Sequence, residues 1–239
     1  MKTDNSDDAD TAMKNESRFP RATASPKMYT FLCSIAEGNF GKIYKAEKNV
    51  NPQKGFHFVV KLLDRDHRSM WKRECRVGLA VQHPFLTHFY ACFEDKQKLY
   101  IVMDIKFSFK SFVEHVGDMN DTQTAFYLAE LVLAIMKLHS LNIAHNDLKL
   151  KNLLLDQSSG HISVVDYGHT HFNPRNKKLY LADWCWLGKL LLDLLGYEWL
   201  LRNFANEWNI KLAWEVSYTI GGCFKIDILI NRVKQIKSM

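Results

Sequence analysis

Residues 142–156, NIAHNDLKLKNLLLD, set a crowd of polar side chains between two apolar segments. His145, Asn146, Asp147, Lys149, Lys151 and Asn152 fall within eight positions, directly before Leu153, Leu154 and Leu155. Gly, Pro and Ser suffice for an ordinary loop. A carboxylate, two cations and two amides at fixed spacing point instead to chemistry. Two short strands, NLLLD and HISVVD, are predicted after the cluster, and Asp166 ends the second, just ahead of Gly168. A carboxylate in that place is either a turn-maker or a metal ligand.

Upstream, YTFLCSIAEGNFGKIYKAEK (29–48) reads as two strands around a turn holding Gly38 and Gly41. Glycines in such a hairpin let backbone N–H groups approach phosphate oxygens, although two glycines usually just make a turn. FHFVVKLLD (56–64) is a third strand, residues 67–82 a helix, and LTHFYACFE (86–94) and KLYIVMDI (98–105) two more strands. Lys61 lies inside the third strand and Glu74 on the helix, positions where such side chains are ordinarily solvated. After Met103 the pattern changes. Residues 121–141 carry Ala125, Leu128, Ala129, Val132 and Met136 at helical spacing, with Asn120 or Asp121 placed to cap the start. Beyond Ala182 the chain is expected to be largely helical. The fold class is therefore α+β: a small antiparallel lobe with one helix, then a mainly helical lobe, with any ligand in the cleft between them.

Composition narrows the class. A chain of 239 residues, 47% hydrophobic and 13% aromatic, holds one large core or two small lobes. The net charge of +6 is mildly basic and no dense Lys/Arg stripe accompanies it, so nucleic acid is not the expected partner. Cys33, Cys75, Cys92, Cys185 and Cys223 are odd in number and form no C-x-x-C pair, which argues against a disulfide framework or a zinc site. The apolar run from Leu187 to Leu201 is broken by Lys189, Asp193 and Glu198 and is too short to span a membrane. With no apolar core near the N-terminus, a soluble cytoplasmic or nuclear protein is expected. Residues 1–28, with Asp4, Asp7, Asp8, Asp10 and a Ser25–Pro26 pair, read as a flexible tail.

Taken together these motifs resemble the eukaryotic protein kinase family, in particular the group containing the cyclic-nucleotide- and lipid-dependent Ser/Thr kinases. AEGNFGKI matches the phosphate loop, VVK the strand lysine, HNDLKLKN the catalytic loop and DYG the metal-binding tripeptide. The resemblance implies a bilobal kinase-like fold over 29–239, with a first lobe at 29–103 and a reduced second lobe at 104–239. It implies ATP and Mg²⁺ as cofactors, and a protein substrate or a regulatory protein as partner. Asp147 would orient the substrate hydroxyl, and Lys149 would neutralise the transferring phosphoryl group. Lys61 would meet the α- and β-phosphates while paired with Glu74. Asn152 and Asp166 would hold Mg²⁺. Gly38, Gly41, Ile43, Val59, Lys61, Met103, Asp104 and Leu154 would bind the nucleotide, with Met103 as gatekeeper and Asp104 opening the hinge.

The chain also departs from that family. Asn146 stands where an Arg usually pairs with an activation-loop phosphate, which argues against that form of control. Val59 replaces a small residue over adenine. Gly78 replaces a large apolar residue one turn after Glu74, so the apolar column through Phe89, Tyr167 and His145 is expected to lose a contact there. Only sixteen residues (167–182) separate Asp166 from Asp183, which resembles the anchor of the catalytic loop; the platform for a peptide substrate is expected to be shortened. Trp208, Trp214 and Phe224 fall in a C-terminal region that matches no known pattern, and core is their default role. Two functions follow: a compact Ser/Thr kinase, or a pseudokinase that binds nucleotide or scaffolds partners.

Overall fold

The computed structural model describes residues 24–38, 41–51 and 53–196. The expectations for 1–23, and for the C-terminal region with Trp208, Trp214, Cys223 and Phe224, lie outside the described residues. Five strands, β1 (Tyr29–Gly38), β2 (Gly41–Lys48), β3 (His57–Asp64), β4 (Phe89–Glu94) and β5 (Lys98–Met103), form one sheet in the order β1-β2-β3-β5-β4. Every neighbouring pair is antiparallel. Residues 24–28, counted with the tail in the sequence, join this lobe: Pro26–Met28 make a 3-10 turn, and the Met28 carbonyl accepts a hydrogen bond from Asn49 N at 2.8 Å.

Strand alternation decides which side chains face the cleft. In β3, Phe58 and Val60 join an outer cluster with Tyr29, Phe93, Tyr100 and Val102. Val59 and Leu63 belong to the main core on the opposite face, and Lys61 shares their parity. Helix α1 (Arg68–Ala80) covers that face, burying Glu74, Cys75, Val77 and Gly78, while Trp71 Nε1 donates to Tyr100 O at 3.1 Å. Lys61 thus turns inward because the strand's period leaves it no other side.

The second lobe holds α2 (Phe109–Val116), α3 (Asp121–Ser140) and α4 (Lys178–Leu194). Asn120 opens α3 with a reciprocal cap: its side chain accepts from Gln123 N at 2.9 Å, and Gln123 Oε1 accepts from Asn120 N at 3.1 Å. The buried stripe runs through Leu128, Leu131, Ile135 and Leu138, whereas Met136, expected on that face, is 45% exposed. Helix α2 was not predicted, and α4 starts before Ala182. Short strands β6 (Phe107–Ser108), β8 (Leu153–Leu155) and β9 (Ile162–Val164) pair in the order β6-β8-β9. Strand β7 (Ile143–Ala144) pairs antiparallel with β10 (His171–Phe172), so the polar cluster leaves one small ribbon and enters another. Among the described residues no helix is long and apolar enough to cross a membrane, and Cys33, Cys75, Cys92 and Cys185 are free thiols.

Candidate active site

Lys61 sits between two carboxylates from distant parts of the chain. Its Nζ lies 2.8 Å from Glu74 Oε1, 3.0 Å from Oε2 and 3.2 Å from Asp166 Oδ1. The ion pair expected between strand and helix is therefore formed, and Asp166, 105 residues away in sequence, joins it. Burial alone would lower the Lys61 pKa, but the Glu74 and Asp166 carboxylates reverse this and hold it above the ordinary value. Burial pushes the Glu74 carboxyl up against the pull of Lys61. Burial would raise Asp166 too, but Lys61 outweighs it and keeps that carboxyl below its usual range. Removing one member of such a pair costs about 3–5 kcal/mol, because the other charge is left buried and alone.

The polar residues of the 145–152 loop gather around Asp147. Lys149 Nζ contacts both carboxylate oxygens, at 2.9 and 2.6 Å, and Asn152 Nδ2 donates to Asp147 Oδ2 at 2.9 Å and to its carbonyl at 2.7 Å. Asp183 anchors the loop from α4. Fully buried, it accepts His145 N at 2.8 Å and Asn146 N at 2.7 Å, and its Oδ2 lies 2.8 Å from His139 Nε2. Asn146 adopts φ +61°, a left-handed backbone that Asn tolerates better than most residues. Asp166 also sits at positive φ, +67°, as the strand turns into the short 3-10 turn Tyr167–His169.

A correction concerns Gly78. No contact is missing from the apolar column, because the Phe89 ring fills the space. A Cβ built on Gly78 would lie 2.2 Å from Phe89 Cδ2 and 2.4 Å from Cε2 and Cγ. Phe89 then meets Tyr167 at 5.8 Å between centroids, and Tyr167 meets His145 at 5.8 Å. The fully buried Tyr167 points its hydroxyl at two carbonyls, Val164 O at 2.8 Å and Thr87 O at 3.1 Å, contacts a Phe at this position has no atom to make.

Sequence reasoning missed two arginines. Arg73 Nε donates to Gly168 O at 2.8 Å, and the Arg76 guanidinium sits 4.2 Å from the centre of the Phe172 ring. Both tie α1 to the short segment that follows Asp166. Their spacing, one turn apart and flanking Glu74, was a visible signal, but their targets were not.

The expected nucleotide residues divide in two. Val59 and Met103 are buried opposite each other across β3 and β5, and Ile43 pairs with Lys61 across β2 and β3. Leu154 is partly exposed on β8. Gly38 faces open space, whereas a Cβ on Gly41 would strike Leu62 O at 1.8 Å, so the two glycines serve different needs. Asp104 departs from the group: its Oδ1 accepts the Tyr90 hydroxyl at 2.6 Å, and it lines an open cavity of about 550 Å³ with Ile105, Phe107 and residues 156–158 at the outer end of the hinge.

Comparison with known proteins agrees with this geometry. Residues 29–185 match the family described as protein kinase domain, which is more than half of the chain. Ribosomal protein S6 kinase alpha-6 from Danio rerio is 30% identical over 201 residues, covering 72% of this chain and 27% of the relative. The Homo sapiens protein of the same name is 33% identical over 152 residues, covering 61% of this chain and 20% of the relative. The cAMP-dependent protein kinase catalytic subunit from Dictyostelium discoideum is 30% identical over 231 residues, covering 83% and 35%. The matched region thus spans about a third or less of these relatives' own lengths. The match over residues 29–185, on a sheet lobe followed by a helical lobe, places this chain in the protein kinase family.

Proposed function

We propose that the chain transfers the γ-phosphate of ATP to a Ser or Thr hydroxyl of a protein. The observation that carries this reading is the Lys61–Glu74–Asp166 cluster, already closed with contacts of 2.8–3.2 Å. In this reading Lys61 holds the α- and β-phosphates, while Gly38 leaves open room for phosphate beside the hairpin backbone. Asp147, fixed by Lys149 and Asn152, orients the substrate hydroxyl and accepts its proton. The hydroxyl oxygen bonds to the γ-phosphorus as the bond to the β–γ bridging oxygen breaks, and ADP leaves with that electron pair. Lys149 neutralises charge on the transferring group.

The site fits a magnesium ion. Asn152 donates through Nδ2, which leaves its amide oxygen uncommitted, and Asp166 Oδ2 lies beyond the Lys61 contact. Two hard oxygens are what a magnesium ion shared with phosphates asks of a protein. When bound, the ion supplies charge neutralisation across the phosphates.

A second reading, nucleotide binding without transfer, is favoured by the sixteen-residue segment between Asp166 and Asp183, which shortens the platform for a peptide. Phosphate transfer from radiolabelled ATP with Mg²⁺, to itself and to generic proteins of both charge signs, separates the two. Signal lost in Asp147→Ala supports the kinase. Nucleotide binding with no transfer supports the pseudokinase.

A further inference from the structure

Resting on the kinase reading, we propose that the protein substrate is acidic around its target hydroxyl, recognised by a basic face that borders Asp147. The catalytic loop contributes Lys151, which is exposed, while Lys149 is paired with Asp147. The segment 167–182 contains no Asp or Glu, and its Arg175, Lys177 and Lys178 are exposed as well. The carboxylates that bound this segment are committed inward: Asp166 to Lys61, and Asp183 to the backbone of the catalytic loop.

Topology ties the segment that carries these cations to the strand and the helix on either side of the catalytic loop. The segment begins directly after Asp166, and β10 pairs with β7, the strand that leads into the catalytic loop. Asn173 N then donates to Asn142 O at 2.7 Å, so the chain runs back along β7 to the residue that precedes it. Asp183 fixes α4 against His145 N and Asn146 N, and Lys178 lies five residues before it, about 7.5 Å along the helix axis. Lys177 is the N-cap residue of that helix, and Arg175 precedes it by two residues. Lys151 precedes Asn152, whose amide bonds Asp147.

Helix stability does not account for this charge. Cations in the first turn of α4 oppose the helix dipole, Lys177 makes no side-chain cap, and three cations within residues 175–178 repel one another. Such an arrangement is relieved by an anionic ligand. A substrate segment with carboxylates or phosphates beside its hydroxyl supplies that, whereas an Arg-flanked segment adds to the repulsion.

The test uses the full chain and labelled Ser peptides of equal length flanked by Asp/Glu, by phosphoserine or by Arg. Binding is read by fluorescence anisotropy and transfer by phosphate incorporation. Both anionic peptides should bind about tenfold or more tightly than the Arg peptide, as three to four exposed pairs allow. That advantage should collapse at about 0.5 M salt and in Lys151→Glu/Arg175→Glu/Lys178→Glu. The single variants guard against a misfolded triple variant, each giving a smaller loss. Equal binding of the two anionic peptides indicates general acidity, and a stronger phosphopeptide indicates a substrate already phosphorylated. Arg peptides bound as well or better, a preference that survives charge reversal, or displacement of the peptide by a short oligonucleotide at lower concentration would each overturn the proposal. Transfer to the Arg peptide alone overturns it while keeping the kinase. Selective binding of acidic peptides with no transfer overturns the kinase reading while keeping the acidic partner.

Discussion

Gly78→Ala should destabilise the protein, although helix propensity alone favours it. Alanine in a helix interior gains about 1 kcal/mol over glycine. Against that, the new Cβ would sit 2.2–2.4 Å from three atoms of the Phe89 ring, well inside any tolerable contact. Phe89 is 1% exposed and backed by Tyr167, which is fully buried, so the ring has no free side to move into. Overpacking of a tight core costs about 1–3 kcal/mol, and this contact belongs at the upper end. The net loss is then about 2 kcal/mol, or about 4–8 °C in Tm for a domain of this size. Leu at the same position costs more. The partner change Phe89→Leu replaces the ring with a smaller side chain, and in Gly78→Ala/Phe89→Leu the two losses should fall short of their sum by about 1–2 kcal/mol. Urea or thermal unfolding of the four proteins reads this out directly. A stabilising Gly78→Ala, or additivity within about 0.5 kcal/mol, would refute the idea that Phe89 occupies the missing side chain's place.

Arg73→Ala removes the hydrogen bond to Gly168 O and should cost about 1–2 kcal/mol; adding Arg76→Ala removes the contact with Phe172 and costs about 0.5–1 kcal/mol more. The double variant should also show a smaller Tm rise with Mg²⁺-ATP, and an unchanged rise would refute a positioning role for the two side chains. The pH dependence tests Glu74, whose folded pKa is raised above 4.5 by burial. The folded state therefore takes up this proton before the unfolded chain does, and stability gains as pH falls through the raised value toward 4.5. The Tm of wild type minus that of Glu74→Gln should rise on lowering the pH from about 7; a fall would mean Lys61 dominates and holds the carboxyl down.

The parts of the fold that the sequence displayed are those set by local period and local chemistry. FVVKLLD was legible as a strand, although its lysine read as solvated until the strand was packed, and Asn120, one of two candidate caps, marked the start of α3. Helix α2 was equally visible in principle: Phe109, Phe112, Val113 and Val116 recur at i, i+3, i+4 and i+7 behind Ser108, which caps it by accepting from Ser111 N. The strand-like alternation of Ile105, Phe107 and Phe109 masked that signal. Met136 was misplaced because α3 is apolar on more than one face, so five spaced residues do not select a stripe.

The remaining features depend on where a side chain lands after the chain has folded. Phe89 fills the gap at Gly78 from eleven positions away, and neither residue alone predicts the fit. Several contacts that hold the site end on backbone atoms: Asp183 on His145 N and Asn146 N, Arg73 on Gly168 O, Asn152 on Asp147 O, and Tyr167 on Val164 O. A sequence names the donor or acceptor side chain in each case, but every residue offers the same backbone partner. Family motifs could therefore name Lys61, Asp147, Asn152 and Asp166, because their chemistry is in their side chains. They could not reveal that Arg73 and Arg76 clasp the short segment after Asp166. Asn146 offers no cation to an activation-loop phosphate, and the contacts these two arginines make between α1 and that segment, to a carbonyl and to an aromatic ring, require no phosphate either.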